Sequence, residues 1–321
     1  MNIKIPLLVV IAGPTAVGKT DLCINLAKKY KTEILSCDSR QFYKEMSIGT
    51  AKPNQAQLSQ VKHHLINNLS VKDDYNISKY EEDSIELLEK LFKIHKIVFM
   101  TGGSGLYIDA VCDGIDFFPV PTPKLRKSLH NLYKNEGIKP LQDKLKILDE
   151  EYSTLIDMQN PMRLIRALEV CITTGEKYSD LRINKPKQRN FNILKICINT
   201  EKNILHKSIE QRVDIMIENG LLNEVKKLKQ YRGLNALKTM GYKEMFEYLD
   251  GNISLEQAIT DIKTNTRRYA KRQLTWFKKD LAYNWFKKED VDLIIKLISE
   301  NMLSVQESTH PDNSEIEHLL S

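Results

Sequence analysis

The sequence predicts an α/β fold: a parallel-sheet core interrupted by an all-helical insertion. Three observations carry that expectation. Short apolar strands alternate with helical spacing over the first third of the chain, a pattern that builds a parallel sheet with helices on both faces. The first strand runs straight into Gly13, four residues, then Gly18-Lys19-Thr20, the glycine-rich strand-to-helix turn of a P-loop NTPase-like core. A proline-rich break, "FFPVPTP" at 117–123, then opens a stretch that reads as helices only.

Each element follows in order. Residues 5–12 read as a buried strand. Residues 19–30 read as a helix with Leu22, Leu26 and Ala27 inward. "TEILSCDS" (32–39) is a second short strand that delivers Asp38 at its C-terminal end, and 78–95 is a helix with Ile85, Leu88, Leu91 and Phe92 on one face. "KIVFMTGGSG" (96–105) is a third strand ending in glycines. After helices over 124–182, proline returns in "INKPKQRN" (183–190), and the apolar run "FNILKICIN" (191–199) is expected to rejoin the sheet. Residues 203–300 read as helical. The expected organisation is a discontinuous catalytic core, 1–120 and 188–304, a helical insertion at 121–187, and a polar flexible tail at 305–321.

The bulk numbers bound the function. The chain has 321 residues, 41% hydrophobic and 28% charged, with a net charge of +6, so a nucleic-acid partner is permitted but not demanded. No apolar run reaches membrane-spanning length, and "IPLLVVIAG" feeds directly into the glycine loop, so neither a membrane span nor a signal peptide is expected. The cysteines (Cys23, Cys37, Cys112, Cys171, Cys197) are scattered without a CxxC pair, which argues against disulfides or zinc and fits a reducing cytoplasm. Adjacent His63 and His64 read as a solvated or loop pair rather than a metal site. No motif points to oligomerisation, so a monomer is expected.

The glycine loop has a physical reading. Gly13, Pro14, Thr15, Ala16, Val17, Gly18, Lys19 and Thr20 form a curl whose backbone N–H groups converge on one anion. The helix N-terminus adds its dipole, Lys19 a charge, and Thr20 a hydroxyl for Mg²⁺. A nucleotide hydrolase would usually add an acidic residue at the end of an apolar strand. The strand "IVFM" ends instead in Thr101, Gly102, Gly103 and Ser104, and the acid comes from Asp38 on the neighbouring strand. In an open parallel sheet that edge is where ligands lie, so Asp38 should face the same cleft as Lys19. Asp38 reads as a Mg²⁺ ligand, a general base or a turn aspartate. A small-molecule or nucleotide kinase would use the same ATP-binding layout.

Basic elements point to a longer polyanion. In "TNTRRYAKRQLTWFKK" (264–279), Arg267 and Lys271 lie one helical turn apart, as do Arg268 and Arg272, with Tyr269, Trp276 and Phe277 interleaved. "NPMRLIRALEV" opens with Asn160 as N-cap and Pro161 in the first turn, and places Arg163 and Arg166 on one face. Arg182, Lys185, Lys187 and Arg189 add charge at the insertion's end. Such groups position phosphates while aromatics stack on splayed bases. Arg212 interrupts the apolar face of "IEQRVDIMIENGLLNEV" (209–225), either as a core arginine paired to an acid or as a phosphate ligand.

Taken in order, "GPTAVGKT", "DSRQFYKEMSIGTAKP", "GGSGLY", "NPMRLIRALEV", "QRVDIMIENGLLNEV", "TMGYKE" and "TRRYAKRQLTWF" resemble the tRNA dimethylallyltransferases, the tRNA isopentenyltransferases of the IPP transferase family, over about residues 7–280. The resemblance implies transfer of a dimethylallyl group from dimethylallyl diphosphate to the N6 amine of the adenine 3′ of the anticodon in tRNA, with Mg²⁺. It implies that Gly13 to Thr20 hold the donor's diphosphate, that Lys19, Arg212 and Mg²⁺ on Thr20 neutralise the leaving group, and that Asp38 accepts the amine's proton. Ser104 stands where the family has threonine and keeps the hydroxyl. Positions matching tRNA contacts are Asp38, Ser39, Arg40, Gln41, Ser104, Arg126, Met162, Arg163, Leu164, Ile165, Arg166, Lys238, Gly241, Tyr242, Lys243, Lys271, Arg272 and Gln273. The family's acidic turn after the histidines is replaced by "SVKDDYN", and the resemblance gives segment 63–80 no role.

Overall fold

A computed structural model of the protein describes residues 5–183 and 185–307; residues 308–321, most of the expected tail, lie outside them. Among the described residues the chain runs β1 (Leu7–Ala12), α1 (Lys19–Tyr30), β2 (Ile34–Ser36), α2 (Gln55–Leu58), β3 (His63–His64), α3 (Ile77–Leu91), β4 (Ile97–Gly102) and α4 (Gly105–Cys112). Five helices follow: α5 (Pro123–Glu136), α6 (Lys139–Leu148), α7 (Glu150–Leu155), α8 (Pro161–Thr174) and α9 (Tyr178–Leu181). Then come β5 (Asn192–Ile198), α10 (Lys202–Glu218), α11 (Leu221–Lys227), α12 (Tyr242–Leu249), α13 (Leu255–Phe277), β6 (Asn284–Phe286) and α14 (Val291–Glu307).

The strands form one parallel sheet in the order β3-β2-β4-β1-β5-β6. All six residues of β1 are buried. Leu7, Val9 and Ile11 enter the apolar cluster with α1, and Leu8, Val10 and Ala12 the cluster on the other face with α3 and α4. Burial on both faces is why a central parallel strand reads as an unbroken apolar run. β5 follows the insertion in sequence yet pairs with β1, from Leu7 opposite Asn192 to Ala12 opposite Cys197. "FNILKICIN" therefore does rejoin the sheet.

Several elements differ from expectation. The two histidines are an edge strand, not a loop pair: β3 pairs with β2, and the His64 ring bonds Glu33. Residues 209–225 are not one helix, because Gly220 at φ 90° ends α10 and caps α11. The basic helix α13 begins at Leu255, capped by Ser254. β6 is a short strand within the stretch read as helical. α14 continues to Glu307, past the expected start of the tail.

The chain divides into two compact units, one formed by the residues up to Cys112 and from Gln188 on, the other by Asp113–Lys187. The second therefore begins at 113 rather than 121. Its own core gathers Leu129, Leu141, Leu145, Leu164 and Leu168 from α5, α6 and α8. Pro123 and Pro161 sit at the helix starts, and Thr122 and Asn160 cap them by accepting the N–H groups of Leu125 and Arg163. No helix among the described residues is long and apolar enough to cross a membrane.

Candidate active site

The glycine loop lies at the C-terminal end of β1. Gly13 has φ 148°, and a Cβ there would collide with the Ile198 carbonyl oxygen, so only glycine lets the loop pass the end of β5. Gly18, at φ 94°, caps α1 without a side-chain hydrogen bond, which leaves the first N–H groups of the helix for a ligand. Lys19 Nζ donates to the Pro14 carbonyl at 2.7 Å. Burial, and then the charge of Arg212, bring its amine down to about 8. An arriving anion would reverse that bias.

Two cavities meet here. The polar one is lined by Gly18, Lys19, Thr20, Ser36, Asp38 and Gly103, among others. The other, of about 210 Å³, adds Ser39, Arg40, Val213, Met216, Gly241 and Ile262. Thr15, Asp38, Thr50, Ala51, Arg212 and Tyr269 line both. Asp38 thus shares a cavity with Lys19 and Thr20, as the strand order requires. Its Oδ1 accepts the Arg40 N–H at 2.9 Å, closing a turn. The Thr20 and Ser36 hydroxyls and the Asp38 carboxylate line one cavity, and hard oxygen donors of this kind suit Mg²⁺. Among the described residues Arg212 makes no ion pair with an acid; it donates to the Thr15 hydroxyl at 3.0 Å, and burial lowers its pKa against the opposing charges of Asp38 and Asp21.

The remaining expected residues divide by exposure. Ser104 Oγ accepts the Ser39 N–H at 3.2 Å. Arg40 donates to the carbonyls of Asn235 and Ala236, and Gln41 to those of Thr50 and Ala51. Lys238, Lys243, Lys271 and Arg272 are exposed. Gly241 is buried and donates its N–H to Glu244. Tyr242 is fully buried and gives its hydroxyl to Glu224, so its side chain belongs to the core rather than to an RNA-facing surface. Gln273, 5% exposed, is likewise spent inside the protein: Oε1 accepts the Thr15 N–H and Nε2 donates to the Gly103 carbonyl. Arg267, in the basic row, pairs with Glu210 at 2.6 Å. Arg189 is also committed, to Glu81 and to the Ala110 and Val111 carbonyls.

In the 113–187 unit, Met162 and Arg163 are exposed, whereas Leu164 and Ile165 are core residues and cannot present side chains to RNA. Arg126 grips the buried carboxylate of Glu169 with Nε at 2.7 Å and Nη2 at 3.1 Å, and Arg166 lies 3.5 Å from the same carboxylate. One buried acid thus holds two arginines in place, a preorganised cationic pair.

Two residues were not given a site role from the sequence. Glu224 accepts the N–H groups of Ser47, Ile48 and Gly49 at 2.9–3.0 Å and the Tyr242 hydroxyl, fixing the loop that brings Gly49, Thr50 and Ala51 to the cavity wall. An acid between the inward positions Leu221 and Val225 was the available signal. Tyr269 lines both cavities; burial, then the Asp38 charge, push its phenol up to about 12.

Comparison with known proteins places this geometry among relatives. The model of the IPP transferase family matches residues 41–280. The chain is 48% identical to a tRNA dimethylallyltransferase of Christiangramia forsetii over 279 residues, 87% of this chain and 92% of that one. It is 44% identical to tRNA dimethylallyltransferase 1 of Bacteroides thetaiotaomicron over 305 residues, covering 95% and 97%. Among solved structures, the tRNA isopentenylpyrophosphate transferase of Bacillus halodurans aligns with a TM-score of 0.71 at 34% identity, over 95% of this chain and 99% of that one. A eukaryotic dimethylallyltransferase acting on tRNA aligns with a TM-score of 0.74 at 25% identity, over 97% and 81%.

Proposed function

The chain belongs to the IPP transferase family, and on that premise we propose that it transfers a dimethylallyl group from dimethylallyl diphosphate to the N6 amine of the adenine 3′ of the anticodon in tRNA. The observation that carries the reading is the shared cavity: the anion loop with Lys19 and Thr20 and the carboxylate of Asp38 line the same space. The N6 nitrogen forms a bond to the allylic C1 as the C1–O bond to the diphosphate breaks. The amine's proton passes to Asp38, and diphosphate leaves.

Each group has a physical task. The loop N–H groups from Gly13 to Thr20, with Lys19 and Arg212, stabilise the charge that grows on the leaving oxygen. Preorganised donors of this kind are each worth on the order of 10²–10³-fold in rate. The Thr20 hydroxyl would hold Mg²⁺, which would supply further positive charge to the diphosphate. Asp38 frees a weakly nucleophilic amine, a contribution of about 10²–10⁴-fold. Val213, Met216 and Ile262 supply an apolar wall beside Asp38.

Exposed Lys238, Lys243, Lys271 and Arg272, and in the 113–187 unit Arg126, Arg163 and Arg166, are our choice for the tRNA contacts. The helical unit is the anticodon-gripping insertion in this reading, the protein acts as a monomer, and its five buried free thiols suit the cytoplasm. A small-molecule kinase would share the loop, but the relatives' names do not favour it. The deciding experiment supplies the protein with Mg²⁺, an anticodon stem-loop and either dimethylallyl diphosphate or ATP. The expected result is consumption of the first and prenylated RNA by mass spectrometry. Consumption of ATP alone would favour the kinase.

A further inference from the structure

We propose that Gln273 is a positioning residue that fixes the anion loop relative to the segment carrying Asp38, and that it does not contact RNA. Its amide bridges two loops at the C-terminal edge of the sheet. Oε1 accepts the Thr15 N–H at 2.9 Å, and Nε2 donates to the Gly103 carbonyl at 2.8 Å. The next residue, Ser104, accepts the Ser39 N–H, and Asp38 Oδ1 accepts the Arg40 N–H. A continuous path of hydrogen bonds and short backbone links therefore runs from the anion loop through Gln273 to the carboxylate. Tyr269, one turn earlier on α13, lines the same cavity as Asp38 and Gln273. Thr15 is held from its other side by Arg212.

The chemistry of the bridge selects glutamine. Joining an N–H to a C=O needs one acceptor and one donor on the same side chain, which an amide provides and a carboxylate does not. An apolar side chain would leave the Thr15 N–H and the Gly103 carbonyl without these partners. Gly103 fits the same account, since a Cβ there would collide with Gln273 Nε2. The consequence is kinetic. Reacting atoms must approach to about 3–3.5 Å, and a misplacement of about 1 Å costs roughly 10²-fold.

The inference rests on the prenyl-transfer reading for its effect on turnover, but the bridge itself is read with inorganic diphosphate. The test compares wild type, Gln273→Ala, Gly103→Ala and the double variant by calorimetric binding of diphosphate with Mg²⁺, binding of an anticodon stem-loop, and steady-state kinetics. Each single variant is expected to weaken diphosphate about tenfold and lower kcat about ten- to a hundredfold. Stem-loop affinity stays within about twofold. The double variant is expected to be no worse than the more damaged single by more than about threefold, because both break one bridge. Weakened stem-loop binding at unchanged diphosphate affinity would make Gln273 an RNA contact. Losses that multiply in the double variant would mean the loops are held independently. Either result overturns the proposal. Should Gln273→Ala not fold, Gln273→Glu keeps the shape and the acceptor for Thr15, and is expected to give the same pattern. If ATP rather than the prenyl donor is consumed, the functional reading fails while the diphosphate data still decide the role of Gln273.

Discussion

Asp38 makes two demands on one carboxylate, and they can be separated. Oδ1 closes the turn by accepting the Arg40 N–H, while Oδ2 accepts no hydrogen bond among the described residues and remains to take a proton. Asp38→Asn keeps an acceptor for the turn and removes the base. Single-turnover prenylation by this variant is expected to slow by about two to four orders of magnitude with stem-loop affinity unchanged. Lost RNA binding at a normal rate would remove Asp38 as the base. The placement of Asp38, Lys19 and Gly13 at one edge of the sheet was legible because the signal is local: a spacing of a few residues at a strand end. Gln273 was singled out, but its bridge was not legible, because its partner Thr15 lies 258 positions away and no short window contains both. Glu224 escaped for the same reason, its ligands at Ser47 to Gly49 being remote in sequence.

Helix α13 shows what periodicity yields and what it hides. Its amphipathic spacing is plain, and Ala270, Gln273 and Phe277 are buried as a one-sided helix requires. Periodicity cannot tell an occupied cation from a free one. Arg267 is committed to Glu210 and Thr264, whereas Lys271 and Arg272 are exposed on the row one turn on, with Arg272 over the Tyr269 ring. Replacing Lys271 and Arg272 by alanine should weaken stem-loop binding and flatten the slope of log K against log salt by about 0.7–0.9 for each phosphate no longer neutralised. Arg267→Ala should leave that slope unchanged. Binding measured from about 50 to 300 mM salt checks both, and an unaltered slope in the double variant would make the row structural. The same blindness explains the split at Gly220: a glycine within an apolar pattern reads as a tolerated interruption until its positive φ is seen. It also explains β3, since two histidines make too short a run to declare a strand.

At the scale of the molecule, the order of strands was largely readable and its closure was not. Alternating strands and helices announced the parallel sheet, and prolines announced the helical unit. Its start at 113 follows the end of α4, whose Ala110 and Val111 carbonyls accept from Arg189. The far edge is closed by β6, three residues long and recruited by partners remote in sequence. Asn284 donates to the Lys195 carbonyl, and Lys195 Nζ, buried on β5, reaches Asp280 Oδ2 at 2.9 Å. Burial alone would raise the Asp280 carboxyl. The Lys195 hydrogen bond, the Ala282 N–H and the Lys195 charge outweigh it and hold the pKa below the ordinary 3.8. A carboxyl depressed in the folded state contributes stability that is present above its unfolded pKa and is lost as pH falls through the folded one. A lysine amine is protonated throughout that range, so the carboxylate alone titrates. Asp280→Asn should therefore unfold at lower denaturant than wild type at pH 7 and pH 5, by a similar margin. The margin should shrink as pH drops below about 4, where wild type loses the same ion pair. Urea titrations of both proteins at pH 7, 5 and 3 measure it directly, and a margin that widened on acidification would mean the pair does not hold the β5–β6 edge.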